Sequence, residues 1–519
     1  MIGLLASSVA AVYVVRLLLD HFQARRSISD HPGYRIFFSQ SSILSNFLPA
    51  IRGITPGSNH LFRNRHKMYE YFGWDIISAV SVWPWNSVTI YLADAAAIKE
   101  VTTSRARFPK SVRFYQTLLF FGPNIIASEG DEWKKYRKIS APAFSDRNNK
   151  LVWDETAKIM TELFGTVWGD QTTISLDHCL DVTLPIALFV IGAAGFGRKS
   201  SWIDDDSIPA GHQMTFKDAL HGAASSVFLN IIIPRGVMGF TERTRKVRLA
   251  FDELHKYMTD MIRDRQTSEK EERHDLFSSL LKANDEDSGG AKLTESELIG
   301  NIYMFLIAGH ESTAHTLCFA FALLALYPDE QETLFQHIKS VLSDGRVPTY
   351  EDMDLLTHSV AVFYETLRMF PAVTGIPKDC AEDTTLTTTN AQGEKTTIPI
   401  PKGAGVIIDA SGLHFNPRYW EDPEVFKPAR FLGKWPHDAF MPFSAGARAC
   451  LGRKFFETEG IAVLTMLVSR YTIEVKEEPQ FAGETFEAKR DRVLAAWPGL
   501  TLSPVRVPLT FKLRGTKHT

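Results

Sequence analysis

Apolar and polar positions follow different periods along this chain, and each period predicts a different element. The first apolar run is almost unbroken. From Ile2 to Leu19 in "MIGLLASSVAAVYVVRLLLDHFQARR" only Arg16 is charged, and that length is near the minimum for a membrane-spanning helix. From about Asp131 to Phe370 apolar residues recur with helical spacing. Short β-like pieces stand near Asp75–Tyr91, near Thr384–Ile400 and in the C-terminal hundred residues. The pattern predicts a mainly α fold with small β-sheets, and no repeat, low-complexity tract or second boundary breaks it. "RDRQTSEKEERHD" (Arg263 to Asp275) and "DEDSGGAK" (Asp285 to Lys292) read as solvated loops.

One predicted helix dominates. Thr294 and Glu297 form a capping box, and nothing stops the helix before Pro328. Roughly 32 residues give roughly 48 Å, enough to cross a whole domain. It is apolar almost throughout yet carries "AGHEST" (Ala308 to Thr313) at its centre. A glutamate in such a helix needs a partner or a purpose; the plainer alternative places Glu311 on an exposed stripe. His310, Glu311 and His315 argue against a second membrane span.

The flanks of the first run orient it. Arg16, Arg25 and Arg26 lie at its C-terminal end, whereas a cleaved signal carries its charge in front. The positive-inside rule then puts the rest of the chain in the cytosol. Residues 1–22 are expected to be a single-span anchor and 23–50 a proline-containing linker, with the stiff turn "HPGYR", that leads into the start of the main body. Residues 51–519 are expected to form the rest of that body. With 519 residues, 45% of them hydrophobic, the chain can bury a large core, and a net charge of -3 gives no reason to expect nucleic acid. Four scattered cysteines with no CxxC pair build neither a disulfide framework nor a zinc site. Reduced thiols in a cytosol-facing protein fit better.

That leaves the cysteine inside "PFSAGARACLGR" (Pro442 to Arg453) as the open chemical question. Cys450 can be a packed thiol, half of a disulfide, a nucleophile or a metal ligand. Phe443, Gly446, Arg448, Cys450 and Gly452 stand in the spacing FxxGxRxCxG. Ahead of them come, in order, "EWKKYR", "AGHEST", "ETLR" (Glu365 to Arg368) and "PEVFKPARF" (Pro423 to Phe431). In these motifs the chain resembles the cytochromes P450 from about residue 30 to its C-terminus. The N-terminal run and "RKISAPAFSDRNNKLVWDET" resemble membrane-bound fungal members.

The resemblance implies the cytochrome P450 fold, with a long central helix over haem and a single N-terminal transmembrane helix before it. It implies haem b with Cys450 as axial thiolate ligand, and dioxygen and NADPH-derived electrons as cosubstrates. Cys450 stands where loop gives way to a helix near Leu451, and helix N-terminal amides lower a thiol pKa. Gly446 and Gly452 would let backbone approach the porphyrin. Phe443 would shield the sulfur, and Arg448 would pair with a haem propionate. Trp133, Arg137 and Lys378 match further propionate positions. Lys134, Lys135, Lys138, Arg453 and Lys454 would form a basic face for an acidic electron donor. Glu365, Arg368 and Arg430 would form a structural charge cluster.

Glu311, Ser312 and Thr313 fall at the oxygen site, where Ser312 replaces the usual threonine but still offers a hydroxyl. Gly309 would leave room for a local opening of the helix. Four apolar segments should line the pocket: Ser111 to Ile125, the helix around Phe305, Phe370 to Pro377, and Ala496 to Leu502. "SSVFLNIIIPRGVMGF" (Ser225 to Phe240) reads as a flexible roof that touches the bilayer, or equally as core.

The expected activity is insertion of one oxygen atom into a C–H bond of a hydrophobic substrate. A sterol or triterpenoid is favoured over a fatty acid or aromatic compound. The expected partners are NADPH–cytochrome P450 reductase, with cytochrome b5 as a second donor, and membrane lipid at the endoplasmic reticulum. Two alternatives keep haem-thiolate: an isomerase or dehydratase that needs no reductase, and a sensor.

Overall fold

The computed structural model describes the chain except residues 1, 40, 41, 43, 44, 46, 85, 199–201, 203–206, 228, 230–232, 234, 268–274, 284–291 and 516–519. Parts of three expected segments lie outside the described residues: 268–274, 285–291, and several positions within 225–240. Contacts divide the chain into two discontinuous units. The first takes Met1–Phe114, Val373–Val425 and Pro436–Cys450; the second takes Tyr115–Ala372, Phe426–Trp435 and Leu451–Thr519. Because each unit is assembled from three separated stretches, no composition shift along the sequence marks the division.

The first unit begins with helix α1 (Ile2–Ser27) and is built on one five-stranded sheet. Its strands are β1 (Gly33–Phe38), β2 (Ile76–Trp83), β3 (Ser87–Leu92), β4 (Gly375–Asp379) and β5 (Gly405–Asp409), in the order β1-β2-β3-β5-β4. Strands β1 and β2 run parallel with Gly33 opposite Ser78, while β2 and β3 form an antiparallel pair with Ile76 opposite Leu92. Sequence reading expected only a turn at "HPGYR". The strand starts inside it because a Cβ at Gly33 would stand 1.8 Å from the Ser78 carbonyl oxygen, so glycine alone permits that pairing. Ile36, Met68, Tyr69, Ile77, Ala79 and Tyr91 form a core cluster of this unit. Helix α2 (Ala95–Thr103) follows β3, and Asp94 caps it by accepting from the amides of Ala96 and Ala97.

The second unit is mainly helical. Its elements include α3 (Gly130–Ser140), α4 (Leu180–Val190), α5 (Glu295–Leu326), α6 (Thr357–Met369) and α7 (Arg453–Arg470). A small antiparallel sheet joins Thr173–Leu176, Leu509–Leu513 and Tyr471–Val475. The first of these strands interrupts the expected helical stretch, since four residues are too short to show a period. Helix α5 has 32 residues and begins with the capping box: Thr294 Oγ1 accepts from the Glu297 amide, and Glu297 Oε2 accepts from the Thr294 amide at 2.7 Å. It is buried over most of its length, including Leu298 to Met304 and Thr313 to Leu324. Helices α6 and α7 approach so closely that a Cβ at Gly460 would lie 2.2 Å from the Phe363 ring.

The anchor expected at residues 1–22 coincides with α1, whose side chains at 1–6, 9 and 10 lie outside the described set. Among the described residues no helix is long and apolar enough to cross a membrane.

Candidate active site

The chemistry-bearing residues fall on both units. In the first unit, Phe443 to Cys450 form a tight loop closed by the Cys450 amide donating to the Phe443 carbonyl at 2.9 Å. Gly446 to Arg448 make one 3-10 turn within it. Gly446 has φ +67, and a Cβ there would lie 2.3 Å from the Thr102 carbonyl oxygen at the end of α2. Glycine is therefore needed to seat the loop on α2, a reason independent of any cofactor. Cys450 is exposed, whereas Cys179, Cys318 and Cys380 are buried. Lys378 is a buried cation on β4, 4% exposed, and sits opposite Val406 on β5.

In the second unit, Trp133 is buried on α3 and the Arg137 guanidinium lies over its ring, 5.7 Å from the centroid. Gly452 caps α7 with φ -85, and its nearest neighbour to an added Cβ is Phe144 at 3.6 Å. Of the flanking cations, Lys134 pairs with Asp131 at 2.7 Å, and Lys135 pairs with Glu297 beside Tyr136. Arg453 donates to Glu457 at 2.8 Å. Lys138 and Lys454 are exposed. The basic charge expected for donor docking is thus partly spent on local ion pairs.

Helix α5 breaks its burial at one stripe. Phe305, Ala308, Gly309 and Ser312 are accessible or half-buried in the middle of an otherwise covered helix. Their spacing of three and four places them on one face. Ser312 Oγ donates to the Ala308 carbonyl at 2.7 Å. The Thr313 hydroxyl has the Gly309 carbonyl at 3.1 Å and Glu459 Oε2 at 3.3 Å as acceptors. Glu311 is 6% exposed, its Oε2 has no protein partner, and burial pushes its pKa up to about 7. Burial raises the Glu459 carboxyl as well. An acidic residue in "FFETEGIAVLTML" was the only sequence sign of Glu459, and its link to Thr313 emerges from the packing of α7 on α5.

Two pocket segments are tied to α5 within this unit. A Cβ at Gly122 would lie 2.1 Å from the Ser296 carbonyl oxygen, and Asn301 Oδ1 accepts from the Ile125 amide at 3.0 Å. His315 Nδ1 meets Thr501 Oγ1 at 2.7 Å in the C-terminal hairpin.

Glu365 is completely buried on α6 and accepts from three directions. Arg368 donates through Nε and Nη2 at 2.7 and 2.8 Å, Arg430 Nε at 3.1 Å and the Lys427 amide at 3.0 Å. The cluster carries no reacting group. It pins the segment around Arg430 to α6.

The cytochrome P450 family model matches residues 51–489. The chain belongs to the cytochrome P450 family. It is 53% identical over 511 residues, 98% of both chains, to cytochrome P450 monooxygenase 124 of Postia placenta. It is 29% identical over 499 residues, 87% of this chain and 84% of the relative, to cytochrome P450 monooxygenase ORF6 of Penicillium roqueforti. The crystal structure of the cytochrome P450DA haem domain shares the fold, with TM-score 0.70 at 22% identity, over 87% of this chain and 93% of that one. This P450 is a monooxygenase whose cofactor is haem with cysteine thiolate ligation, using dioxygen and NADPH-derived electrons.

Taken unit by unit, the residues present suit that group: in the first, an exposed cysteine on a loop closed by its own backbone and a buried lysine; in the second, an arginine on a buried tryptophan and an accessible stripe on a buried helix. For the buried charge cluster, Arg368→Ala leaves Glu365 with Arg430 as its remaining cation in a dry site. The expected loss is about 3–5 kcal/mol of stability, read as a lower urea midpoint and reduced haem retention on purification.

Proposed function

We propose that this P450 is a reductase-dependent enzyme of the endoplasmic reticulum membrane that hydroxylates a hydrophobic molecule, with a sterol or triterpenoid skeleton favoured. The observation that carries the reading is Ser312 on the accessible stripe of α5 next to the buried, unpartnered Glu311, a pair suited to handling protons. Haem, when bound through Cys450, supplies the oxygen activation. Trp133, Arg137, Lys378 and Arg448 would hold its propionates, Phe443 would shield the sulfur from water, Gly452 would leave its approach clear, and Gly446 would serve by seating the loop on α2.

The chain's own groups manage protons. Ser312 Oγ donates to the Ala308 carbonyl, which leaves its lone pairs able to accept a proton. Rotated off that carbonyl, the hydroxyl can pass its own proton on. Glu311 is close to half-protonated near neutral pH, so its carboxyl can both store and release a proton there. Thr313 is held by Gly309 and Glu459 and serves as the second hydroxyl. A sensor has no use for such a relay, and the Glu311–Ser312 pair with the exposed cations favours the monooxygenase that draws on a reductase over an isomerase or dehydratase.

Residues 1–22 are the proposed anchor, 23–50 the linker and 51–519 the catalytic body. Exposed Val12, Tyr13, Val14, Val15, Leu18 and Leu19 on α1, followed by Arg25 and Arg26, support that assignment. NADPH–cytochrome P450 reductase is the proposed electron donor, with cytochrome b5 as a second, and Lys134, Lys138, Arg453 and Lys454 are exposed cations that would meet it. The apolar segments at Leu118 to Ile125 and around Phe305 support a hydrophobic ligand.

Turnover of an apolar compound panel, with NADPH and with or without reductase, tests the reading. Product only with reductase is expected. Product without it would establish the isomerase or dehydratase, and no turnover under either condition would favour the sensor. With an active compound in hand, the rate should fall as pH rises through about 7, because deprotonation removes the proton that Glu311 delivers. Glu311→Gln should flatten that step. Ser312→Ala should raise peroxide released per NADPH, and unchanged coupling would transfer the role to Thr313.

A further inference from the structure

Helix α4 does not end cleanly. Past Val190 it widens into one π-helical turn, Ile191–Gly195. Such π-turns occur frequently at functional sites. This one opens with Ile191, 4% exposed. Its Cδ1 and Cγ1 each lie 2.9 Å from where a Cβ on Gly309 would stand. The same Cδ1 lies 2.9 Å from the Cβ position of Gly195. One branched side chain is therefore seated between two glycines, one from its own turn and one from the centre of α5.

Gly309 does not need glycine for its backbone. Helix α5 runs unbroken from Glu295 to Leu326 through that position. Glycine in a helix interior costs about 0.5–1 kcal/mol relative to alanine, so space is its justification. Sequence reading assigned that space to a local opening of the helix; the space is filled by Ile191. The contact falls on sensitive ground. The carbonyls of Ala308 and Gly309 accept the hydroxyls of Ser312 and Thr313, at 2.7 and 3.1 Å. Glu311 lies between them in the chain.

We propose that Ile191 is a positioning residue for proton delivery: seated against Gly309, it fixes the Ala308–Thr313 turn of α5 and with it the aim of the Ser312 hydroxyl and the Glu311 carboxyl. This inference rests on the assignment of Glu311 and Ser312 to proton handling. Packed helices transmit such displacements because the interior cannot absorb an added methyl without moving something.

The test is a size-exchange cycle in the full-length haem protein. Gly309→Ala adds the methyl, Ile191→Val removes one from the opposite side, and the double variant combines them. Two readouts need no known substrate. One is amide hydrogen exchange over residues 305–313; the other is peroxide released per NADPH with reductase present. Gly309→Ala should speed exchange about ten-fold and raise peroxide about three-fold, and Ile191→Val in the same chain should recover most of both. A harmless Gly309→Ala, or a double variant no better than it, overturns the inference.

Should Gly309→Ala yield no haem protein, recovery of haem protein by the double variant supports the fit. Should neither fold, Ile191→Ala alone must speed exchange over residues 305–313 and raise peroxide, and no change in either overturns it. The carbon monoxide spectrum separates the two layers. Loss of the thiolate band in the unsubstituted protein would refute the haem assignment, whereas failed rescue with that band intact refutes only the role of Ile191.

Discussion

A thiolate serves as an iron ligand only while it stays deprotonated and held in place, and that requirement governs how the chain around Cys450 is built. The loop from Phe443 to Cys450 is closed by its own backbone, with the Cys450 amide bonded to Phe443. It is seated on α2 at a point where only glycine fits, since Gly446 has φ +67 and presses on the Thr102 carbonyl. The sulfur thus stands on a short, over-determined turn rather than on a mobile arm. In sequence it precedes the first residue of α7 by three positions.

The proposed proton supply would need a place that excludes bulk water. Helix α5 is apolar nearly everywhere and polar at selected positions. The same burial that makes Glu311 expensive as a carboxylate brings its pKa to about 7, where a proton can be gained or lost at little cost. Ser312 and Thr313 are not loose hydroxyls: each is tied to a carbonyl one turn back, and Thr313 also reaches the buried Glu459. Stability elsewhere rests on a different use of charge. Glu365 is neutralised by Arg368 and Arg430 with its remaining acceptor capacity met by the Lys427 amide, which is how a fully buried carboxylate is tolerated.

Much of this was legible because it is local or periodic. The capping box at Thr294 and Glu297, the length of α5, the strands near Ile76–Leu92 and the hairpin Thr384–Ile400 all follow from spacing within a few residues. The cysteine loop announces itself by five fixed positions. What escaped notice depends on residues far apart in sequence. Ile191, at the start of a π-turn, meets Gly309 from another helix, and no apolar pattern encodes either the turn or the contact. Glu459 meets Thr313 from another helix. Lys135 looks free in "EWKKYR" but is bound to Glu297 at the start of α5. The strand at Gly33 was hidden because its pairing rests on an absent side chain opposite Ser78.

The most direct measurement is the carbon monoxide difference spectrum of the reduced, haem-loaded, full-length protein beside its Cys450→Ala variant. A long-wavelength band typical of thiolate ligation in the unsubstituted protein, lost in Cys450→Ala, is the predicted result. The same band in Cys450→Ala, or its absence from the unsubstituted protein, would contradict the account.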